Sequence, residues 1–142
     1  MRLQETVAVV TGGMGSGICD CLTREGADIF VTDLDLGRAG ETVERIEQAS
    51  RRGIVHQADV TSKADCQAIV DTALSAFGHI DILVNKAGHF GERLGLPLGL
   101  PLMNQTEAQW DDNYAVNVKD PFFLCKASAP HMLERRRPAV LS

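Results

Sequence analysis

A glycine-rich turn near the start of the chain has the clearest potential for chemistry. It follows a short β-branched run and has the sequence Thr11-Gly12-Gly13-Met14-Gly15-Ser16-Gly17-Ile18. A turn of this kind between a strand and a helix lets backbone N–H groups approach a pyrophosphate, and the helix dipole favours its negative charge. Glycine clusters also form plain loops, so the residues around this turn are needed to distinguish a phosphate-binding turn from a plain loop.

Asp33 supplies that context, because it ends the next strand-like run, 20 residues after Gly13. A carboxylate at this place can accept hydrogen bonds from the hydroxyls of an adenosine ribose. Its negative charge would repel a 2′-phosphate. The pair of features therefore predicts a dinucleotide site that takes NAD rather than NADP. The alternative is that Asp33 is a solvated helix cap.

The elements that must position these residues alternate between apolar runs and amphipathic stretches, which is typical of βαβ units. Because the apolar runs are continuous, both faces of the sheet should be covered. We predict an α/β fold with a Rossmann-like, doubly wound parallel sheet of about five strands in the order 3-2-1-4-5. The predicted strands are Val7–Val10, Ile29–Thr32, Ile54–Ala58, Ile80–Val84 and Ala139–Leu141.

Helical periodicity and capping residues predict the helices between these strands. One covers Leu36–Arg51, and a second is capped by Ser62 and stopped by Gly78. A third begins at Thr106, continues through Val116 and carries Trp110 as a core anchor. The fourth covers Pro121–Arg135, with Pro130 interrupting its last turns. The Gly/Pro-rich segment Leu94–Pro101 should be a loop.

Composition and charge exclude several classes of function. With 44% apolar and 23% charged residues, the 142-residue chain has the composition of a single globular domain. The net charge of −5 argues against a nucleic-acid or anionic-membrane partner. No apolar stretch is long enough for a bilayer and no signal-peptide pattern is present, so we expect a cytoplasmic location. The four cysteines contain no C-x-x-C pair, and we predict no metal site.

Three further motifs follow in order along the chain. They are Asp59-Val60 after the third predicted strand, Asn85-Lys86-Ala87-Gly88 after the fourth, and Asn117 within Val116-Asn117-Val118-Lys119. Together with the glycine turn, they make the sequence similar to the short-chain dehydrogenase/reductase family over essentially all its residues. The resemblance implies an oxidoreductase that transfers hydride between a secondary alcohol or ketone and NAD.

The resemblance also implies site residues. Asn117 would hold a water in the family's proton relay and is the one catalytic residue expected here. Cofactor binding is expected at Gly12, Gly13, Ser16, Gly17, Ile18, Asp33, Asp59, Val60, Asn85, Ala87 and Gly88.

The sequence departs from the family pattern in the glycine turn, in the first helix and in the motif after the fourth strand. Counted from Gly13, the glycine spacing fits, but Cys19 stands where the last glycine belongs and should push helix and strand apart. The first helix is about one turn short, which predicts strain, fraying or an altered register. Lys86 replaces an asparagine, which either adds a cation near the cofactor phosphates or damages the site.

The family's catalytic serine, tyrosine and lysine are not found in their pattern. The only tyrosine is Tyr114, and four residues later stands Val118. In a regular α-helix, Tyr114 and Lys119 would point about 140° apart. Ser142 stands one or two residues before the place of the serine. We therefore expect a truncated, C-terminally incomplete domain, inactive by itself, with an exposed parallel strand edge.

Other interpretations remain. The chain could be a non-catalytic dinucleotide-binding or interaction protein that keeps the fold, or a flavodoxin-like receiver domain, which the glycine turn fits poorly. The scattered histidines are expected on the surface or in loops, with His89 lining a substrate cleft as the alternative. A homo-oligomer is possible, and the substrate is not readable.

Overall fold

A computed structural model describes residues 1–12, 16–89, 101–135 and 139–141. Five parallel strands form one sheet in the order β3-β2-β1-β4-β5, which confirms the predicted fold class and strand order. The strands are β1 (Val7–Thr11), β2 (Asp28–Asp33), β3 (Gly53–Gln57), β4 (Ile82–Asn85) and β5 (Ala139–Leu141). The α-helices are α1 (Ser16–Arg24), α2 (Leu36–Gln48), α3 (Lys63–Phe77), α4 (Glu107–Tyr114) and α5 (Asp120–Glu134).

The core forms two layers, one on each face of the sheet. Successive strand residues point to opposite faces, so Val9 belongs to one layer, while Ala8 and Val10 belong to the other. In register with Val9 lie Phe30 on β2 and Leu83 on β4. Helices α3 and α5 cover this first layer, and α1 and α2 cover the second. This double cover is why β1, β2 and β4 are largely apolar. The prediction of cover on both faces is wrong for the edge strands β3 and β5, where Val55 and Val140 are exposed.

Helix α1 is short but ordered in its last turn. Gly26, with φ +102°, follows the helix. Its N–H donates to the carbonyl of Thr23, and the N–H of Ala27 donates to that of Leu22, which is the Schellman pattern of helix closure. Cys19 is buried in the layer that contains α1 and β1. The expected fraying is therefore wrong for this end of the helix.

The predicted caps of α3 are confirmed, and two predictions for later helices are wrong. The Ser62 hydroxyl accepts the Asp65 N–H, and Gly78 closes the helix with φ +82°. However, α5 continues through Pro130 to Glu134, because Pro130 is the one proline beyond its first turn and its buried side stays packed against the sheet. Trp110 is 68% exposed, since α4 turns Gln109 rather than Trp110 inward, and it is not a core anchor.

A buried carboxylate joins the ends of several elements below β4. The oxygens of Asp81 accept the Val7 N–H at 3.0 Å and the Arg135 Nε–H at 3.0 Å. His79 Nε2 lies 3.2 Å from the same carboxylate. Asp81 thus links the start of β1 to the end of α5.

Among the described helices, none combines the length and apolar composition that a bilayer-spanning segment needs.

Candidate functional site

The candidate site is a cleft at the carboxyl ends of the strands. It lies where the chain order reverses between β1 and β4, the place at which doubly wound sheets bind ligands. Its volume is about 180 Å³. The lining residues are Gly12, Thr32, Asp33, Leu34, Arg38, Ala58, Val60, Lys86, Ala87, Gly88, His89 and Val116.

Gly12 is the point at which the turns after β1 and β4 touch. Its φ is +85°, and a Cβ there would lie 2.9 Å from the Cα of Ala87. Thr11 binds the two turns together, because its hydroxyl oxygen accepts the N–H groups of Lys86 and Ala87 at 3.1 and 3.0 Å. Only glycine combines this φ with so close an approach.

Asp33 also lines the cleft, at the end of the neighbouring strand β2. Its Oδ1 accepts the N–H of Asp35 at 2.9 Å. The cap of α2 is Asp35, whose Oδ1 accepts the N–H groups of Gly37 and Arg38. These backbone bonds and the Arg38 side chain hold the pKa of the Asp35 carboxyl below its ordinary value. Because Asp35 performs the capping, the alternative interpretation of Asp33 as the helix cap is not what the structure shows.

The two members of the Asp59-Val60 pair have different surroundings. Val60 is buried and lines the cleft. Asp59 is not among the lining residues: its Oδ1 accepts the N–H and hydroxyl of Thr61 at 3.0 and 2.7 Å. The Asp59 N–H donates to Asp65 Oδ2 at 2.9 Å. The Asp59 carboxylate therefore shapes the turn that presents Val60.

The residues that follow β4 are held from the α4–α5 side. Asn85 is buried, with Nδ2 3.6 Å from the Sγ of Cys125 on α5. Asn117 Nδ2 donates to the His89 carbonyl at 2.9 Å, and its Oδ1 accepts the His89 N–H at 3.2 Å. A Cβ on Gly88 would lie 2.9 Å from that Oδ1. The Asn117 side chain thus positions the backbone of the cleft wall.

His89 is buried in the cleft wall rather than on the surface. It is 9% exposed. Its Nε2 lies 3.1 Å from Asp112 Oδ2 on α4. His89 lies in the loop after β4, as expected, and it also lines the cleft, a feature for which the spacing of the histidines gave no signal.

A π-helix, Ala115–Lys119, joins α4 to α5 and contains Asn117. Such segments widen the turn and often occur at functional sites. The wider turn brings Lys119 back towards Tyr114, so that its Nζ lies 5.9 Å from the centroid of the Tyr114 ring. The expectation that these two side chains diverge is wrong, because it assumed a regular α-helix. The ammonium faces the ring, as in a cation–π contact.

The remaining predicted site residues are placed as follows. Ser16, Gly17 and Ile18 form the first turn of α1 and are not among the lining residues. Gly13 and Ser142 lie outside the described residues, as does most of the Leu94–Pro101 segment. The described residues contain no group of three His, Cys, Asp or Glu side chains that could hold a metal ion.

Sequence reasoning missed Asp120, at the start of α5. Its side chain is completely buried, and neither carboxylate oxygen has a hydrogen-bond partner. Burial, reinforced by the charge of Asp59, raises its pKa from 3.8 to about 7. Asp120 in turn helps burial to raise the pKa of the Cys66 thiol to about 12. An aspartate beside Pro121 is ordinary in the first turn of a helix, so nothing in the sequence marked it.

Comparison with known proteins identifies what the chain resembles. The family model for short chain dehydrogenases matches residues 6–142. The chain is 35% identical to the 2-dehydro-3-deoxy-D-gluconate 5-dehydrogenase of Escherichia coli strain K12, over 92% of this chain and 49% of the relative. It is 34% identical to the galactitol 2-dehydrogenase of Agrobacterium fabrum, over 96% and 51%. The chain thus spans about half the length of these curated relatives.

Solved structures share the fold. A metagenomic short-chain oxidoreductase in complex with NADP superposes with a TM-score of 0.87 at 31% identity, over 99% of this chain and 62% of the other. An NAD⁺-bound xylitol dehydrogenase gives a TM-score of 0.87 at 22% identity, over 99% and 53%. Both likenesses show that the chain shares the fold of these proteins.

Proposed function

This chain belongs to the short chain dehydrogenase family of oxidoreductases, and from that premise we propose that its cleft binds a nicotinamide dinucleotide, with NAD preferred to NADP. The observation that carries the proposal is that Asp33 lines the cleft at the end of β2, the strand next to the one that Gly12 follows. A carboxylate there accepts hydrogen bonds from a ribose and repels an added phosphate. The cleft volume of about 180 Å³ is below the usual range of about 300–1,000 Å³, so we assign it to the adenosine half.

Each wall of the cleft would have its own part in binding. Asp33 would hold the ribose hydroxyls, and Val60 would pack against the adenine. Gly12, Ala87 and Gly88 offer backbone without bulky side chains, which suits close approach to a pyrophosphate. Asn117 would keep the wall in place through the backbone of His89.

We further propose that the whole protein oxidises a secondary alcohol to a ketone, or performs the reverse reaction. A bound nicotinamide would supply the hydride acceptor for this chemistry, and a base would be needed for the hydroxyl proton. The one tyrosine of these 142 residues, Tyr114, is not among the residues that line the cleft, and the Lys119 ammonium lies over the face of its ring. We infer that this pair does not serve as the tyrosine–lysine arrangement for that proton transfer. We therefore propose that this stretch binds cofactor without turning over substrate.

Calorimetric titration of the purified 142-residue chain with NADH and NADPH tests the cofactor proposal. We expect saturable binding, tighter for NADH. Asp33→Asn should weaken NADH binding about 10-fold, because a charged hydrogen bond is lost, and should narrow the preference over NADPH. Asp71→Asn, on the exposed side of α3, is the matched control. No binding at millimolar concentrations of either dinucleotide would refute the proposal, and tighter binding of NADPH would refute the NAD preference.

Turnover is tested separately by the absorbance of NADH when NAD and a panel of secondary alcohols are supplied. Binding without any absorbance change is the expected result. Measurable oxidation by the 142 residues would overturn the proposed inactivity. It would also require a proton acceptor that is not arranged as tyrosine and lysine four residues apart.

We also propose that the chain pairs with a second copy of itself. An exposed apolar stripe runs along α4, the π-helix and α5 at intervals of four residues: Trp110, Tyr114, Val118 and Phe122. Acidic residues lie near its first end and basic residues near its second: Glu107, Asp111, Lys119 and Lys126. In an antiparallel pair, the acidic end of each copy would face the basic end of the other.

Sedimentation equilibrium measures this pairing. We expect a dimer that Val118→Glu converts to a monomer, whereas Met103→Glu, at a 91% exposed position outside the stripe, leaves it unchanged. A monomeric wild-type chain would refute self-pairing. The apolar stripe would then be a surface for a segment other than a second copy of these 142 residues.

A further inference from the structure

Lys86 stands where the cofactor site meets the second turn of the cleft. Its N–H donates to Thr11 Oγ1 at 3.1 Å and also lies 3.1 Å from the carbonyl of Val84. The next N–H, that of Ala87, donates to the same hydroxyl. The backbone of Lys86 is therefore fixed against the turn after β1, while its exposed side chain lines the cleft.

On this geometry, and resting on the cofactor site proposed above, we propose that Lys86 is a phosphate-binding residue that supplies the cleft with a cation. Besides His89, the ionisable side chains that line the cleft are those of Asp33, Arg38 and Lys86. The Arg38 guanidinium is already engaged, because its Nε lies 3.3 Å from Asp35 Oδ2. Within the described part of the chain, Lys86 forms no ion pair. Its charge is therefore available to a ligand.

The chemistry of the ligand is set by what surrounds Lys86. Beside it lie Gly12, Ala87 and Gly88, whose backbone we assign to the pyrophosphate. An ammonium on a flexible stem binds phosphate as a point charge. A cation in a concave site also raises the local concentration of anions. A dinucleotide brings two negative charges on the pyrophosphate, and NADP brings a further 2′-phosphate. Lys86 would thus offset part of the repulsion that Asp33 exerts on the ligand.

Calorimetric titration of the 142-residue chain with NADH, NADPH and adenosine tests the proposal. Lys86→Met should weaken dinucleotide binding about 5- to 10-fold at low ionic strength, and the difference should shrink in high salt, because an exposed charge pair is screened. Lys86→Arg should retain most of the affinity. Adenosine, which has no phosphate, should bind both variants like the wild type. Lys63→Met, an exposed lysine at the start of α3, is the matched control.

The two dinucleotides identify which phosphate is bound. An equal loss for NADH and NADPH assigns Lys86 to the pyrophosphate, and a loss confined to NADPH assigns it to the 2′-phosphate. If Lys86→Met changes both affinities less than twofold at low salt, or weakens adenosine equally, the inference is overturned while the cofactor site stands. If the wild-type chain binds neither dinucleotide, the proposed function fails and the role of Lys86 fails with it.

Discussion

Ionisation of Asp120 should make this chain less stable as the pH rises. The carboxyl group is completely buried, without a hydrogen-bond partner, at the junction of the π-helix and α5. Water solvates the charged form in the unfolded chain, whereas the native interior does not. Burial and the neighbouring charge of Asp59 raise its pKa from 3.8 to about 7. Replacing Asp120 removes this titration.

The size and direction of the effect follow from proton linkage. Below pH 4 the Asp120 carboxyl group is protonated in both the native and the unfolded state, so its ionisation does not lower the free energy of unfolding. Between pH 4 and 7 the native state keeps a proton that the unfolded state has lost, so the free energy of unfolding falls by about 1.4 kcal/mol per pH unit. Above pH 7 Asp120 is ionised in both states, and the free energy of unfolding keeps its full reduction. A pKa rise from 3.8 to about 7 corresponds to about 4 kcal/mol, an upper value because a native state that relaxes around the charge reduces it.

Urea unfolding monitored by far-ultraviolet circular dichroism at half-unit steps from pH 4.5 to 8.5 measures the slope. Asp120→Asn keeps the shape of the side chain, and Asp120→Ala removes its polar atoms; both should flatten the decline between pH 4.5 and 7. The slope of the free energy of unfolding against pH is compared, rather than its value at one pH. The reason is that a buried amide without partners itself lowers this free energy by about 1–3 kcal/mol. Asp111→Asn, an exposed aspartate on α4, is the control.

The reasoning would be refuted if the wild-type chain and both Asp120 variants lost stability in parallel over this pH range. That result would mean that Asp120 is ionised in the native state at pH 5, and therefore that it has partners or water that stabilise its charge.

Three further substitutions have definite expected effects. Gly12→Ala should destabilise the chain by about 1–3 kcal/mol in urea unfolding, because the positive φ and the close backbone of the second turn both oppose a Cβ, and it should abolish NADH binding. Asp81→Ala should lower the free energy of unfolding by about 1–3 kcal/mol, since it leaves the buried Val7 N–H without an acceptor; loss of the pair with Arg135, which is 38% exposed, adds less than about 1 kcal/mol. Asn117→Ala should weaken NADH binding in calorimetry. It should also lower the free energy of unfolding by about 1–2 kcal/mol, because the His89 backbone loses its two hydrogen bonds to the Asn117 side chain.

Matched controls separate these effects from general damage. Gly40→Ala lies in α2, where an added Cβ meets nothing within 4 Å, and should be neutral or stabilising. Asp71→Asn serves for Asp81, and an exposed asparagine, Asn104→Ala, serves for Asn117. Normal stability of Gly12→Ala would contradict the close approach of the two turns. Unchanged NADH binding by Asn117→Ala would show that the wall of the cleft holds its shape without that side chain.

Much of the fold could be predicted from local patterns. Continuous apolar runs such as Val7–Val10 predicted strands covered on both faces, and Ser62 and Gly78 predicted the limits of α3. These signals are local, because strand burial and helix capping depend on neighbouring residues. The predictions for Trp110 and Pro130 were wrong because exposure and helix continuity depend on what packs against the helix, which one segment cannot reveal.

The site divides in the same way. The sequence determined which residues could bind a dinucleotide, because the strand that ends at Asp33 and the turn that begins at Gly12 must meet at one edge of a parallel sheet. Only the tertiary structure decided that Asp59 shapes a turn beside the cleft, that Asn117 binds the backbone of His89, and that Asp120 is buried without partners. The physical reason is that a side chain's partners and its solvation arise from segments distant in the chain, which meet only when the layers pack.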